Sequence, residues 1–160
     1  MKHQEESFDV VVIGGGVTGS AIAWQFAKAN IKTALIEKEG ICSGASATNP
    51  GFCVLSYRGD QLQLEMARKQ MKAFKVLEKE LEVDLEFSVT GSLIPISNQQ
   101  ELEVLSGLVS RCHSMGLQEI EMVSPERAVK QEPALDPNKI ISAVYCPGEG
   151  LINPFNLTNG

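Results

Sequence analysis

Three glycines and one carboxylate have types and a spacing that could do chemistry. Gly14, Gly16 and Gly19 satisfy G-x-G-x-x-G within Gly14-Gly15-Gly16-Val17-Thr18-Gly19, and Glu37 follows 18 residues after Gly19. In that spacing Gly14 allows a tight turn, and Gly16 lacks a Cβ, so a pyrophosphate can approach the backbone. Gly19 lets a helix pack close to a strand. Unpaired N–H groups and the positive dipole end at a helix N-terminus favour a phosphate anion there. A carboxylate at Glu37 can accept hydrogen bonds from ribose hydroxyls and repels a 2′-phosphate. Glycine-rich turns are common, so the signal depends on the elements around this one.

Those elements fit. Val10-Val11-Val12-Ile13 is an unbroken β-branched run ending at glycine, which reads as a strand buried on both faces of a parallel sheet. Thr18 to Ala29 suit a helix, with Ile22, Phe26 and Ala29 at helical spacing. A second apolar run, Thr33-Ala34-Leu35-Ile36, ends at Glu37. Strand, glycine turn, helix and acid-tipped strand together predict a dinucleotide site over residues 8–38. The pattern by itself leaves FAD and NAD both open.

The next segment, Ile41 to Phe52, is long for a connection and made mostly of small residues. Such a loop lets backbone N–H groups approach a bulky ligand, with Ser43, Ser46, Thr48 and Asn49 adding polar partners. A flexible surface loop is the competing reading. Beyond it the pattern predicts a helix from Gln61 to about Val83, its apolar face running through Ala67, Met71, Phe74, Leu77 and Leu81. Two strand-like runs, 85–89 and 91–96, precede a helix over 98–115 with Leu102, Leu105, Val109 and Cys112 as its stripe. His113 lies beside that stripe as a packed or solvent-edge residue. A brief strand over 120–123 leads to Ser124-Pro125-Glu126, an N-cap followed by a first-turn proline. Another strand covers 140–145, and the last residues read as the start of a helix.

Composition narrows the function classes. With 14 basic and 20 acidic residues the net charge is −6, so nothing draws the chain to nucleic acid or an anionic membrane. No stretch approaches the length of a transmembrane helix, and the polar lead-in over residues 1–7 lacks a signal-peptide core. Cys42, Cys53, Cys112 and Cys146 form no C-x-x-C pair, and His3 and His113 are the two histidines, so no metal site is expected. Reduced thiols in a cytoplasmic protein are the expectation.

The whole arrangement resembles the N-terminal part of an FAD-dependent oxidoreductase of the D-amino-acid oxidase family, closest in pattern to glycine oxidase and D-amino-acid dehydrogenases. DVVVIGGGVTGSAIAWQFAK, TALIEK, the loop CSGASATNPGF, EMVSPERAVKQEPAL and ISAVYCPGEGLINPFNLT carry the resemblance, over nearly the whole chain. It implies an α/β fold: a Rossmann-like FAD-binding βαβ domain over 1–84 and 140–160, and part of a second, α+β substrate domain over 85–139. Family members run further, so the chain looks truncated, with a C-terminal part missing.

The resemblance also implies roles. Gly14, Gly15, Gly16, Val17, Thr18 and Gly19 would surround the FAD pyrophosphate, with Glu37 on the adenosine ribose and Lys38 beside it. Cys42, Ser43, Ala45, Ser46 and Ala47 would follow the cofactor's extended chain, and Asn49, Pro50, Gly51 and Phe52 would approach the isoalloxazine ring. Pro50 departs from the family's small-residue run and offers no N–H. No residue here is expected to be catalytic; Arg58 and Arg68 read as solvated side chains rather than carboxylate binders.

The implied activity is oxidation of a small amino acid or amine by hydride transfer to flavin N5. A 2-hydroxy acid or glycerol 3-phosphate is the alternative substrate class. A second alternative is a dinucleotide-binding fragment or subunit without chemistry, whose incomplete sheet predicts self-association. A plain NAD-dependent dehydrogenase fits the fingerprint but not the small-residue loop.

Overall fold

A computed structural model describes residues 6–160; the lead-in residues 1–5, His3 among them, lie outside the described residues. The elements are β1 (Val10–Ile13), α1 (Val17–Lys28), β2 (Thr33–Ile36), α2 (Ala45–Thr48), β3 (Phe52–Cys53), α3 (Gln61–Leu81) and β4 (Ser92–Ile96). After them come α4 (Gln99–Ser114), β5 (Glu121–Val123), α5 (Pro125–Gln131), a 3-10 turn over Pro137–Lys139, β6 (Ser142–Cys146), β7 (Gly150–Leu151) and α6 (Pro154–Asn159). The chain is therefore α/β. It divides into two compact units.

The first unit holds the residues up to Gly51 together with Leu81–Glu86 and Asn153–Gly160. Strands β1 and β2 pair in parallel, Val10 opposite Thr33 through Ile13 opposite Ile36, with α1 as the crossover. Helix α1 ends because Asn30 takes a left-handed conformation, φ 59°, which its short polar side chain tolerates. Helix α6 packs on both α1 and α2. One expectation fails here: β1 is not buried on both faces. Val11 is 52% and Ile13 85% exposed, because β2 is the strand paired with β1 among the described residues.

The second unit comprises Phe52–Glu80 and Phe87–Ile152. Its antiparallel sheet has the order β4-β6-β5, and β3 pairs separately with β7. Along β6 the side chains alternate between two clusters, as a period of two requires. Val144 and Cys146 join Leu64 and Ala67 of α3 and Leu108, Val109 and Cys112 of α4. Ala143 and Tyr145 pack on the other side with Val123, Ala128 and Ile140. The stripe expected on α4 faces this core, with Leu102 and Leu105 at its margin, while of the α3 stripe Ala67 and Met71 reach it and Phe74 packs on Phe87 instead.

The run 85–89 does not form the expected strand. Glu86 has φ 52° and its N–H is taken by the Asp84 carboxylate at 2.8 Å, so extended pairing is interrupted. What remains is an isolated bridge between Ser88 and Leu151.

Candidate functional site

Strand β1 delivers the chain into Gly14, whose φ of +108° is a conformation that side chains on L-residues rarely adopt. A Cβ on Gly14 would meet nothing within 4 Å, so the turn faces open space. A Cβ on Gly19 would overlap the Gly14 carbonyl oxygen. The third glycine is therefore required by contact between helix and turn, as its spacing suggests. Gly15 is fixed from the other side: a Cβ there would lie 2.6 Å from Ile41 Cδ1 and 3.1 Å from Glu37 Cβ.

Three bonds gather the predicted residues around this turn. The Gly15 N–H donates to Glu37 Oε2 at 2.7 Å, which brings the tip of β2 to the turn. The Cys42 N–H donates to the Gly15 carbonyl at 2.8 Å. The Val17 N–H, in the first turn of α1, donates to Ser46 Oγ at 2.9 Å. Helix α1 has neither a side-chain cap from Gly16 nor an acidic residue in its first turn. Its N-terminus is instead met by a hydroxyl from a segment 29 residues on.

The second oxygen of Glu37 accepts from the Glu39 N–H at 3.0 Å. These amide bonds, Gly15 first and Glu39 next, hold its carboxyl below the usual carboxylate range. Glu37 thus stays an anion at neutral pH, with the acceptor character that ribose hydroxyls need.

The small-residue segment is tied down rather than loose. It contains the turn of helix α2, Asn49 Nδ2 donates to the Ser46 carbonyl at 2.7 Å, and the Gly51 N–H donates to Asn49 Oδ1 at 2.8 Å. Cys42 is buried with φ 59°, its thiol directed at the Pro154 carbonyl at 3.7 Å. Sequence reasoning missed both Ile41 and the return of α6 as supports of this turn; no local pattern signals either. Not every expected residue converges. Lys38 is exposed and pairs with Glu39 at 3.5 Å, while Asn49 spends its amide within its own loop. Phe52 belongs to the second unit and is 66% exposed.

A dinucleotide fits what is present. An anion would meet the start of a 12-residue helix, the space before Gly14 is open, and the Glu37 carboxylate stands beside the turn, bonded to the Gly15 N–H.

The second unit carries a cavity of about 320 Å³. Phe52, Val54, Tyr57, Leu93, Ile94 and Leu151 supply most of its apolar wall, and Glu149 is its charged residue. The two arginines considered above do not line it. Arg68 Nη2 donates to both oxygens of Glu119 at 2.9 and 3.0 Å and to the Gly116 carbonyl at 3.2 Å, and Arg58 Nε to the Val54 carbonyl at 2.9 Å. His113 Nε2 sits 2.8 Å from the Ile120 carbonyl, and the residue is exposed, a solvent-edge histidine. Burial, and then the Glu149 carboxylate, push the Cys146 thiol up to about 12, which leaves it protonated and unreactive at neutral pH.

Comparison with known proteins gives these features a family. Residues 9–160 match the family described as FAD dependent oxidoreductase (DAO), and the chain belongs to it. One of the subunits of the anaerobic glycerol-3-phosphate dehydrogenase of Escherichia coli K12 is 30% identical over 156 residues, covering 98% of this chain and 28% of that protein. Glycine oxidase from Bacillus cereus superposes with a TM-score of 0.83 at 29% identity, over 96% of this chain and 42% of the other. The L-alpha-glycerophosphate oxidase of Mycoplasma pneumoniae with FAD bound gives 0.80 at 25%, over 97% and 41%. The chain thus spans well under half the length of these relatives.

Proposed function

We propose that the chain holds FAD in its first unit, as part of an oxidoreductase that acts on a small amino acid or amine. The observation that carries this reading is the meeting of Gly15, Glu37, Val17 and Ser46 around the N-terminus of α1. Gly14 through Gly19 would lie against the pyrophosphate, with the α1 amides facing its charge, and Glu37 would accept from the adenosine ribose. Cys42, Ser43, Ala45, Ser46 and Ala47 would follow the cofactor's chain, and Asn49, Pro50, Gly51 and Phe52 would approach its ring. The bound flavin supplies a hydride acceptor, and the protein supplies binding and orientation. Oxidation of the C–N bond would give an imine that water hydrolyses to a carbonyl compound and the released amine.

The likeness to glycine oxidase supports the amine substrate. A glycerol 3-phosphate substrate has its own support, the 30% identity to the anaerobic dehydrogenase, and the two readings share the same cofactor site.

The test is the near-ultraviolet and visible spectrum of the purified chain after incubation with FAD and desalting. Retained flavin bands are expected, and a chain that retains none yet binds NAD would sink the reading. With flavin retained, anaerobic addition of N-methylglycine and of glycerol 3-phosphate to a longer, flavin-loaded protein that includes the missing C-terminal part then discriminates between substrates. Bleaching by the phosphate alone would replace the amine with the alternative.

A further inference from the structure

Helix α3 is apolar on its solvent face as well as on its core face. Leu64, Ala67 and Phe74 are buried, whereas Leu62, Met66 and Val76 are 66%, 62% and 55% exposed. At helical spacing, positions 62, 66, 73 and 76 align on the side opposite those buried residues, and Ala73 is exposed too. The result is an apolar stripe about 20 Å long.

Single exposed apolar side chains are ordinary on a protein surface. The charge beside this stripe sets it apart. From Met66 to Leu77 the helix carries Arg68, Lys69, Lys72 and Lys75 and no acidic residue, in a chain whose net charge is −6. Glu119 holds Arg68, but Lys69, Lys72 and Lys75 are exposed and form no ion pair among the described residues. The net charge opposes attraction of the chain as a whole to an anionic surface. Screening over about 8 Å at physiological salt removes the distant charges, so at contact the local lysines decide.

An anionic lipid surface meets both demands of this face. Lysine stems can carry their ammonium groups to the headgroups while Leu62, Met66 and Val76 enter the acyl boundary. A folded protein partner would need a recess for Met66 and acids fixed opposite each lysine. A lipid surface offers anions and apolar depth at every point, with no fixed geometry to match.

We infer that the solvent face of α3 is a peripheral docking surface for an anionic lipid bilayer, with the helix lying in the membrane plane. This goes beyond the cofactor reading, and its test uses the chain without flavin, so either can fail without the other.

The chain is floated with vesicles of phosphatidylcholine alone and of phosphatidylcholine and phosphatidylglycerol in equal parts. It should rise with the mixed vesicles, stay behind with the neutral ones, and be released as salt is raised. Lys69→Gln combined with Lys72→Gln should weaken binding to the mixed vesicles about 25-fold, about fivefold for each lysine. Leu62→Gln combined with Met66→Gln should also weaken it, with a melting curve close to the parent's because neither side chain is buried. Ile13→Ser, on the exposed strand of the first unit, should bind as the parent does. No recovery with the mixed vesicles, equal recovery with both kinds, unchanged binding in either double variant, or loss of binding in Ile13→Ser would each overturn the inference. So would pairing of the chain in the absence of vesicles that the Leu62→Gln, Met66→Gln variant abolishes, which would assign the stripe to a second copy.

Discussion

Gly19 faces the carbonyl of Gly14 so closely that a methyl group has no room, while Gly14 itself borders open space but needs a positive φ. The two glycines thus fail differently when replaced. Gly19→Ala forces α1 off the turn and should cost about 1–3 kcal/mol, as overpacking does. Gly14→Ala meets no neighbour and should cost about 1 kcal/mol through backbone strain alone. Thermal melts of the two variants check this, and a Gly19→Ala melting curve that overlays the parent's would refute the contact argument. Glu37 makes a prediction in pH. Its folded-state pKa is lowered, so its contribution to stability is complete above the unfolded carboxylate value and fades as pH falls through the folded one. Replacing it with glutamine should therefore flatten the acid side of a melting-temperature profile below neutral pH, leaving the alkaline side parallel to the parent's. An acid limb of unchanged steepness would show that other carboxylates set it.

Helix starts in the second unit differ in how well they are closed, and that difference is measurable. At α4, Asn98 Oδ1 accepts the Glu101 N–H at 2.9 Å while Glu101 Oε2 reaches back to the Ser97 N–H at 2.7 Å. At α5, Ser124 Oγ accepts the Arg127 N–H at a longer 3.4 Å. Asn98→Ala should cost about 1 kcal/mol and Ser124→Ala less, by denaturant titration of each variant. Equal losses would mean that the shorter cap bond at α4 is worth no more than the longer one at α5. The Ser124-Pro125-Glu126 cap and the helix over 98–115 are legible in the sequence, because caps and apolar stripes are local. The same is true of the β1-turn-α1-β2 unit, where each position demands a residue type. Contacts that need the fold first are not legible. Nothing near Ser46 distinguishes it from Ser43, yet Ser46 is the hydroxyl at the start of α1. Nothing near Glu149 announces that its partners are Leu55 and Ser56, more than ninety positions earlier. The run 85–89 fails as a strand for a related reason: its apolar alternation is visible, but the left-handed Glu86 inside it is not.

Across the molecule, the two units bury their sheets unequally. In the second, β6 is central, and its side chains enter a cluster on each face. In the first, β1 and β2 make a two-stranded parallel pair that leaves Val11 at 52%, Ile13 at 85% and Ile36 at 53% exposure. Parallel strands rich in β-branched residues are ordinarily covered on both faces, and an open strand edge is a template for another chain. With a net charge of −6, repulsion between copies opposes association but is screened within about 10 Å at ordinary salt. Contact between apolar strands occurs well inside that distance, so association should win as concentration rises. The 160-residue chain is accordingly expected to self-associate reversibly in sedimentation velocity runs, more so at higher salt. Ile13→Lys places a charge on the exposed strand end and should shift the distribution toward monomer without altering the melting of the second unit. A parent chain that sediments as a monomer at every concentration and salt would mean that the exposed face is not adhesive, and the argument from uncovered parallel strands would fall.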